Sequence, residues 1–304
     1  ANMRTNGWEL SVSWNDKINN VGGSPLMYSI GVGLADSYST ITKFDNPEGA
    51  LNNYYEGKRI GEIWGYVTDG FIQDEAEAQR MATIQGDISK TWKVGDIRYK
   101  DLDGVEGITS AKTIYNTGDQ KVIGNTTPRY SFNINASASW KGFDVRVFFE
   151  GIAKRDLWID SPVFWGFPSN SNVWQSAVND YHVDNSWSEN NTNAYYPLPS
   201  YSGRSKQTQT KYLQNGAYIR LKDLTISYTI PKAWISTVGI EQLKVFASGQ
   251  NLWVGTKLFK YLDPDIVSTR QSNSKDNKLV GNLTSDGKAY PFSRTFSFGI
   301  NLTF

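Results

Sequence analysis

The stretch Thr295-Phe296-Ser297-Phe298-Gly299-Ile300-Asn301-Leu302-Thr303-Phe304 decides how the rest of the chain is read. Apolar residues hold every even position, and the odd positions carry only Thr, Ser, Gly and Asn. Side chains on a strand point alternately to opposite faces, so this is a strand with one apolar face and one small, polar face. The same alternation returns at Trp8–Asn15, Met27–Leu34, Tyr130–Trp140 and Phe143–Glu150. It returns again at Tyr218–Pro231, which changes phase near Lys222-Asp223, as a β-bulge or a membrane boundary would require. Leu243–Asn251 alternates least clearly.

A soluble sandwich would alternate too, with one face on a core. Two features favour a membrane instead. Several of the runs approach the ~9–11 residues of a tilted transmembrane strand. Their ends carry aromatics (Trp8, Trp14, Tyr130, Trp140, Phe143, Phe304), where the interfacial girdles of a barrel belong. The chain has 11 Trp, 17 Tyr and 14 Phe, enough to furnish such girdles.

The connections extend the argument. Lys141-Gly142 alone joins one strand pair, and Asp16–Pro25 and Pro231–Gln242 are also short. The others, about 45–125, 159–211 and 252–293, are long. Short and long connections alternate, like the periplasmic turns and extracellular loops of outer-membrane barrels. The expected fold is an all-β, transmembrane antiparallel β-barrel contributing seven strands. Bacterial single-chain barrels normally have an even number, so further strands are expected outside this chain. With a periplasmic C-terminus, the first strand starts outside the cell. Ala1-Asn2-Met3-Arg4 offers no basic start, apolar core or cleavage site, and the chain reads as a fragment.

Composition narrows the function. A formal net charge of +1 gives no electrostatic basis for binding nucleic acid. The absence of Cys excludes disulfides and thiolate metal sites. Mean hydropathy is −0.48, and no run is apolar and long enough for a transmembrane helix, which leaves alternating strands untouched. No Gly-rich phosphate loop opens a helix, and the single histidine, His182, lies in a loop with no matched nucleophile. It reads as a stray surface residue, and the chain is not expected to be an enzyme.

Several segments together resemble the SusC/RagA branch of the TonB-dependent outer-membrane transporters. They are Asn6-Gly7-Trp8-Glu9-Leu10 running to Trp14-Asn15-Asp16-Lys17-Ile18, and Gly61-Glu62-Ile63-Trp64-Gly65-Tyr66 with Asp69-Gly70-Phe71. Next come Gly95-Asp96-Ile97-Arg98-Tyr99-Lys100-Asp101-Leu102-Asp103-Gly104 and Val122-Ile123-Gly124-Asn125 with Pro128. Tyr218-Ile219-Arg220-Leu221-Lys222-Asp223-Leu224 with Tyr228, and Ala247-Ser248-Gly249-Gln250-Asn251-Leu252, complete the series. Their order resembles the C-terminal third of that family. The resemblance implies strands 16 to 22 of a 22-stranded barrel, with the plug domain and N-terminal strands outside this chain. It also implies a Bacteroidota-like outer membrane, a SusD-like lipoprotein lid, coupling to the TonB complex through an N-terminal region, and import of glycans or peptides. An outer-membrane barrel acting as a surface receptor or adhesin without transport is the alternative.

Two groups of residues stand out as candidate sites. Asp101 and Asp103 have the spacing of the first two ligands of a calcium loop, which suits a hard cation such as a structural Ca2+. Val105-Glu106-Gly107 follows where family members often continue with a further acidic residue, and a charged surface turn explains the same residues. Loop 159–211 gathers Trp165, Trp174, Tyr181, Trp187, Tyr195 and Tyr196, with Tyr201, among Asn and Ser. These aromatics suit contact with a lid protein or substrate, or packing against each other to order the loop. Asp144, Arg146 and Glu150 are expected on the lumen side, paired with the plug or with neighbouring strands. Gln73–Ile84 is expected to form a short helix capped by Asp74.

Overall fold

The computed structural model describes residues 1–168, 173–235, 239–267, 270–271, 283–285 and 290–304. Seven long strands form one antiparallel sheet: β1 (Asn2–Val21), β2 (Ser24–Lys43), β3 (Arg129–Trp140), β4 (Phe143–Lys154), β5 (Tyr218–Thr229), β6 (Gln242–Thr256) and β7 (Thr295–Thr303). Each is hydrogen-bonded to its neighbours in chain order, so the sheet is a simple up-and-down meander.

One parity of side chains runs across all seven strands. Trp14, Ile30, Ala136, Val147, Leu224, Gly249 and Phe296 stand opposite one another in a single row. One residue along, Ser13, Gly31, Asn135, Phe148, Asp223, Gln250 and Thr295 form a row on the other face. The apolar face is uncovered: Leu10, Val12, Ile30, Val32, Ile226, Phe298 and Ile300 are all exposed. A sandwich would cover that face with a second sheet, whereas a continuous apolar surface of this extent suits lipid. No helix among the described residues is long and apolar enough to cross a membrane.

The phase change near Lys222 is a bulge. Register on both sides passes from Leu221 to Asp223, leaving Lys222 out of both ladders. The pairing absorbs the extra residue, so Leu224, Ile226 and Tyr228 return to the apolar face.

Pairing outlasts the alternating stretches. β1 and β2 continue through Asn15–Asn20 to a turn made only of Gly22-Gly23, with φ of 57° and 87°. Two consecutive positive φ values match the right-handed twist of a hairpin and are cheapest for glycine. Asp16–Pro25 is therefore mostly strand, because polar residues outside the apolar band pair just as well but carry no alternation. At the other end β2 reaches Lys43 and β6 reaches Thr256.

The long connections carry their own structure. Residues 44–128 hold two small antiparallel pairs, Glu62–Tyr66 with Gln120–Asn125 and Thr68–Phe71 with Ile97–Tyr99. They also hold helix α1 (Glu75–Ile84), whose N-cap Asp74 accepts from the Glu77 amide as its sequence predicts. Residues 155–217 hold a short strand (Asp156–Ile159) paired with Gln214–Asn215, and the helices α2 (Pro162–Trp165) and α3 (Asp180–Asn185).

Candidate functional site at the long-loop end

The long connections do not stand apart. The Tyr66 amide donates to the Thr208 carbonyl at 2.9 Å, and the Thr210 amide returns to the Tyr66 carbonyl at 3.1 Å. The Leu198 amide donates to the Gly95 carbonyl at 2.9 Å. Gly95 has φ +85°, and a Cβ there would lie 2.3 Å from the Trp187 ring. Only glycine lets the two loops meet at that point. A single hydrophobic cluster takes residues from all three connections, among them Ile63, Met81, Phe164, Tyr212 and Phe259. The result is one cap.

Its polar centre is Asp96, fully buried. Arg204 Nε donates to Asp96 Oδ2 at 2.6 Å, Ser205 Oγ donates to Oδ1 at 2.9 Å, and the Lys93 amide donates to Oδ2 at 2.8 Å. A buried carboxylate is tolerable when paired and multiply hydrogen-bonded, as here. Gln85 lies beside it, also buried, accepting from the Tyr99 amide at 2.6 Å and donating to the Ile97 carbonyl at 3.2 Å. Burial raises the Tyr99 phenol well above its usual range and that of Tyr66 to about 12, so both stay neutral. Burial also lowers Lys206 to about 8, while its Nζ donates to the carbonyls of Phe167, Pro168 and Ser200.

The aromatic candidates divide sharply. Trp165, Trp187 and Tyr196 are buried, Tyr181 and Tyr195 are half-buried, and Trp174 is 93% exposed. Trp165 packs edge-on against Phe164 and Tyr212, and Tyr196 stacks parallel to Tyr212 at 6.2 Å. Most of this aromatic surface therefore orders the cap, leaving Trp174 projecting from it. Tyr201 is exposed at its edge, against Phe167.

His182 is not the surface residue its sequence context suggests. It is 2% exposed, with Nε2 3.1 Å from the Phe164 carbonyl and Nδ1 3.0 Å from Asn179 Oδ1. Asn179 and His182 form a capping box at the start of α3, which the sequence hides because His replaces the usual Glu or Gln. Burial among aromatics holds its pKa below the usual histidine value.

Asp101 and Asp103 come together with the buried Asp119, ligand oxygens within 4.8 Å of one another. Asp119 lies too far along the chain for local spacing to have suggested it. Its two oxygens accept from the Leu102 and Thr109 amides, both at 2.7 Å. Asp101 accepts from the Gly104 amide at 2.7 Å and Asp103 from that of Val105 at 2.9 Å. The carboxylates thus close the turn themselves, and at one oxygen each the three supply half or less of the roughly six to eight oxygens Ca2+ takes.

The polar face of the sheet carries a ladder of ion pairs. Lys244 reaches Asp144 at 2.7 Å, and Lys222 reaches Glu150 at 2.7 Å and Asp265 at 3.2 Å. Arg220 pairs with Asp263, and the Tyr218 hydroxyl donates to Asp265 at 3.0 Å. The start of the third long connection is thereby pinned to β5. Arg146 is exposed on the same face.

No family model matches the chain. It is 30% identical over 249 residues to TonB-dependent receptor P3 of Formosa agariphila, covering 82% of this chain and 22% of that protein. It is 26% identical over 222 residues to TonB-dependent receptor P26 of the same organism, covering 69% of this chain and 20% of that one. The chain thus spans about a fifth of the length of the curated relatives it matches. Among solved structures it superimposes on a chain of the RagAB peptide importer in the open-open state, with TM-score 0.65 at 19% identity over 99% of this chain and 29% of that one. The closed-closed state gives 0.66 at 20% identity, over 99% of this chain and 30% of that one. At such identity the likeness concerns the fold, and it covers the seven-strand wall and its cap together. On sequence relationship and fold alike, this chain belongs to the family of TonB-dependent receptors, outer-membrane β-barrels of which it forms part of the wall.

Proposed function

We propose that these residues form part of the wall and the extracellular cap of a SusC/RagA-type active transporter, importing glycans or peptides across the outer membrane. In this reading a SusD-like surface lipoprotein closes the cap from outside, and the TonB complex supplies energy through a region outside this chain. The observation that carries it is the inner row Ser13, Gly31, Asn135, Phe148, Asp223, Gln250 and Thr295, polar or small except for Phe148, opposite a lipid-facing apolar row, the pattern of a barrel enclosing a polar lumen. The cap supports the lid, because it is a packed body from which large aromatics project, Trp174 furthest at 93% exposed. Such residues are common anchors in protein interfaces.

The test is made on the intact protein in its own outer membrane. Deleting the gene is expected to abolish accumulation of a labelled oligosaccharide or peptide, and a protonophore to do the same in the parent. Trp174→Ala is expected to reduce co-purification of the lid lipoprotein with barrel abundance unchanged. Surface binding that persists without any energy-dependent accumulation would support a receptor or adhesin instead.

A further inference from the structure

We infer that the turn after β5 is seated in the membrane interface, with Trp234 inserted among phospholipid head groups at the short-turn end of the barrel. With the long connections outside the cell, that end meets the inner leaflet. The inference rests on the reading above that the apolar face of the sheet meets lipid.

Aromatics mark the rim of that face. Trp140 stands opposite Phe143, and Phe143 opposite Tyr228, in one row across β3, β4 and β5. The Phe143 and Tyr228 rings lie 4.5 Å apart. Such rings suit a membrane interface, where an amphipathic aromatic sits at the level of the head groups. The row then breaks. Tyr228 faces Val245 on β6, and Val245 faces Ile300 on β7. The apolar face of β6 offers Leu243, Val245, Ala247 and Gly249 at this end, with no aromatic.

The turn between β5 and β6 supplies one. The Ile230 amide still donates to the Leu243 carbonyl at 2.8 Å. Pro231, with no amide hydrogen, then ends the ladder, and a short helix α4 (Lys232–Ile235) follows. Lys232 lines a hollow with Thr229, Gln242 and Thr303, which share the polar face of the sheet. At 3.6 residues per turn, Trp234 is turned about 200° from Lys232, toward the apolar side. Ile235 is buried, whereas Trp234 is 71% exposed. Its indole makes no hydrogen bond or ring contact with the protein. A projecting indole beside an aromatic rim, continuous with the lipid-facing surface, suits the interface between acyl chains and water.

The experiment uses the intact protein in phosphatidylcholine nanodiscs, which leave both membrane faces open to the buffer. Trp234→Cys, Lys232→Cys and Phe298→Cys each carry a bimane label, read against lipid bearing a nitroxide near the glycerol and against iodide in the buffer. The Trp234→Cys label is expected to lose more emission to the nitroxide than to iodide, and the Lys232→Cys label the reverse. Emission lost to iodide alone would place Trp234 in water, and loss to neither quencher would place it against protein; either overturns the proposal. Phe298→Cys, well inside a strand on the apolar face, separates the two readings. Lipid quenching there but not at Trp234→Cys means that the proposal alone fails. No lipid quenching at Phe298→Cys means that the facing of the sheet fails, and the seat of Trp234 with it. Trp234→Phe provides a second measurement without any label. Brominated phospholipid is expected to quench tryptophan emission more in the parent than in this variant, and equal quenching would also overturn the proposal.

Discussion

At the scale of single residues, parity and burial make opposite demands on neighbouring positions. Ile300 sits on the apolar face and Ser297 on the polar one. Ile300→Arg is expected to impair assembly, since a lipid-facing Arg near the midplane costs about 2–4 kcal/mol. Ser297→Arg is expected to assemble normally, and heat-modifiable migration of the barrel would report both. Equal defects would contradict the face assignment. His182 gives a pH prediction. Its folded pKa is depressed by burial below the unfolded value near 6.5, so the unfolded state takes up a proton first as pH falls. The cap is therefore expected to keep full stability above that pH and to lose it progressively below. Its thermal midpoint, followed by tryptophan fluorescence, should drop between pH 7 and pH 5. In His182→Gln, which keeps a donor for the Phe164 carbonyl, that drop should be smaller. An identical pH response in the variant would remove His182 as the cause.

At the scale of elements, the cap is held by contacts between segments far apart in sequence. The Asp96–Arg204 pair joins the first long connection to the second, with Asp96 fully buried and Arg204 nearly so. Removing one partner of a buried pair strands the other charge, at a cost of about 3–5 kcal/mol. Asp96→Asn is thus expected to speed hydrogen exchange in residues 95–99 and 204–209 while the barrel strands stay protected. Gly95→Ala should act on the same junction by steric means, because its Cβ would enter the Trp187 ring. Unchanged exchange in both variants would mean that the junction contributes little to the cap. Strand β5 shows the reverse economy of means. A one-residue bulge at Lys222 restores parity for the rest of the strand and frees its ammonium to pair with Glu150 and Asp265.

At the scale of the whole molecule, short turns and long connections lie at opposite ends of the strands. Lys141 is exposed in the turn between β3 and β4, and Gln175 is exposed on the cap. Cysteines placed at these two positions of the intact protein are expected to react from opposite sides of the membrane. An impermeant reagent applied to whole cells should reach Gln175→Cys and not Lys141→Cys. Labelling of both from outside would overturn the topology and, with it, the placement of the cap at the cell surface.

Strand number, facing and order were determined by sequence alone, because a period of two leaves its mark wherever one face meets lipid and the other water. Thr295–Phe304 carries that mark most plainly, and even the bulge at Lys222-Asp223 appears as a change of phase. The Asp74 cap of α1 was legible for a related reason, since capping is local chemistry. The extent of β1 and β2 was not, because polar residues such as Asn15, Asn19 and Asn20 pair without alternating. Nor could local sequence tell which aromatics of residues 159–211 are buried. Trp165 and Trp174 look alike in the sequence, and only the meeting of three connections covers the first and leaves the second in solvent. The same holds for Asp96 with Arg204, Asp119 with Asp101 and Asp103, and the enclosure of His182. Each depends on contacts between residues distant in the chain, which only the tertiary structure could decide.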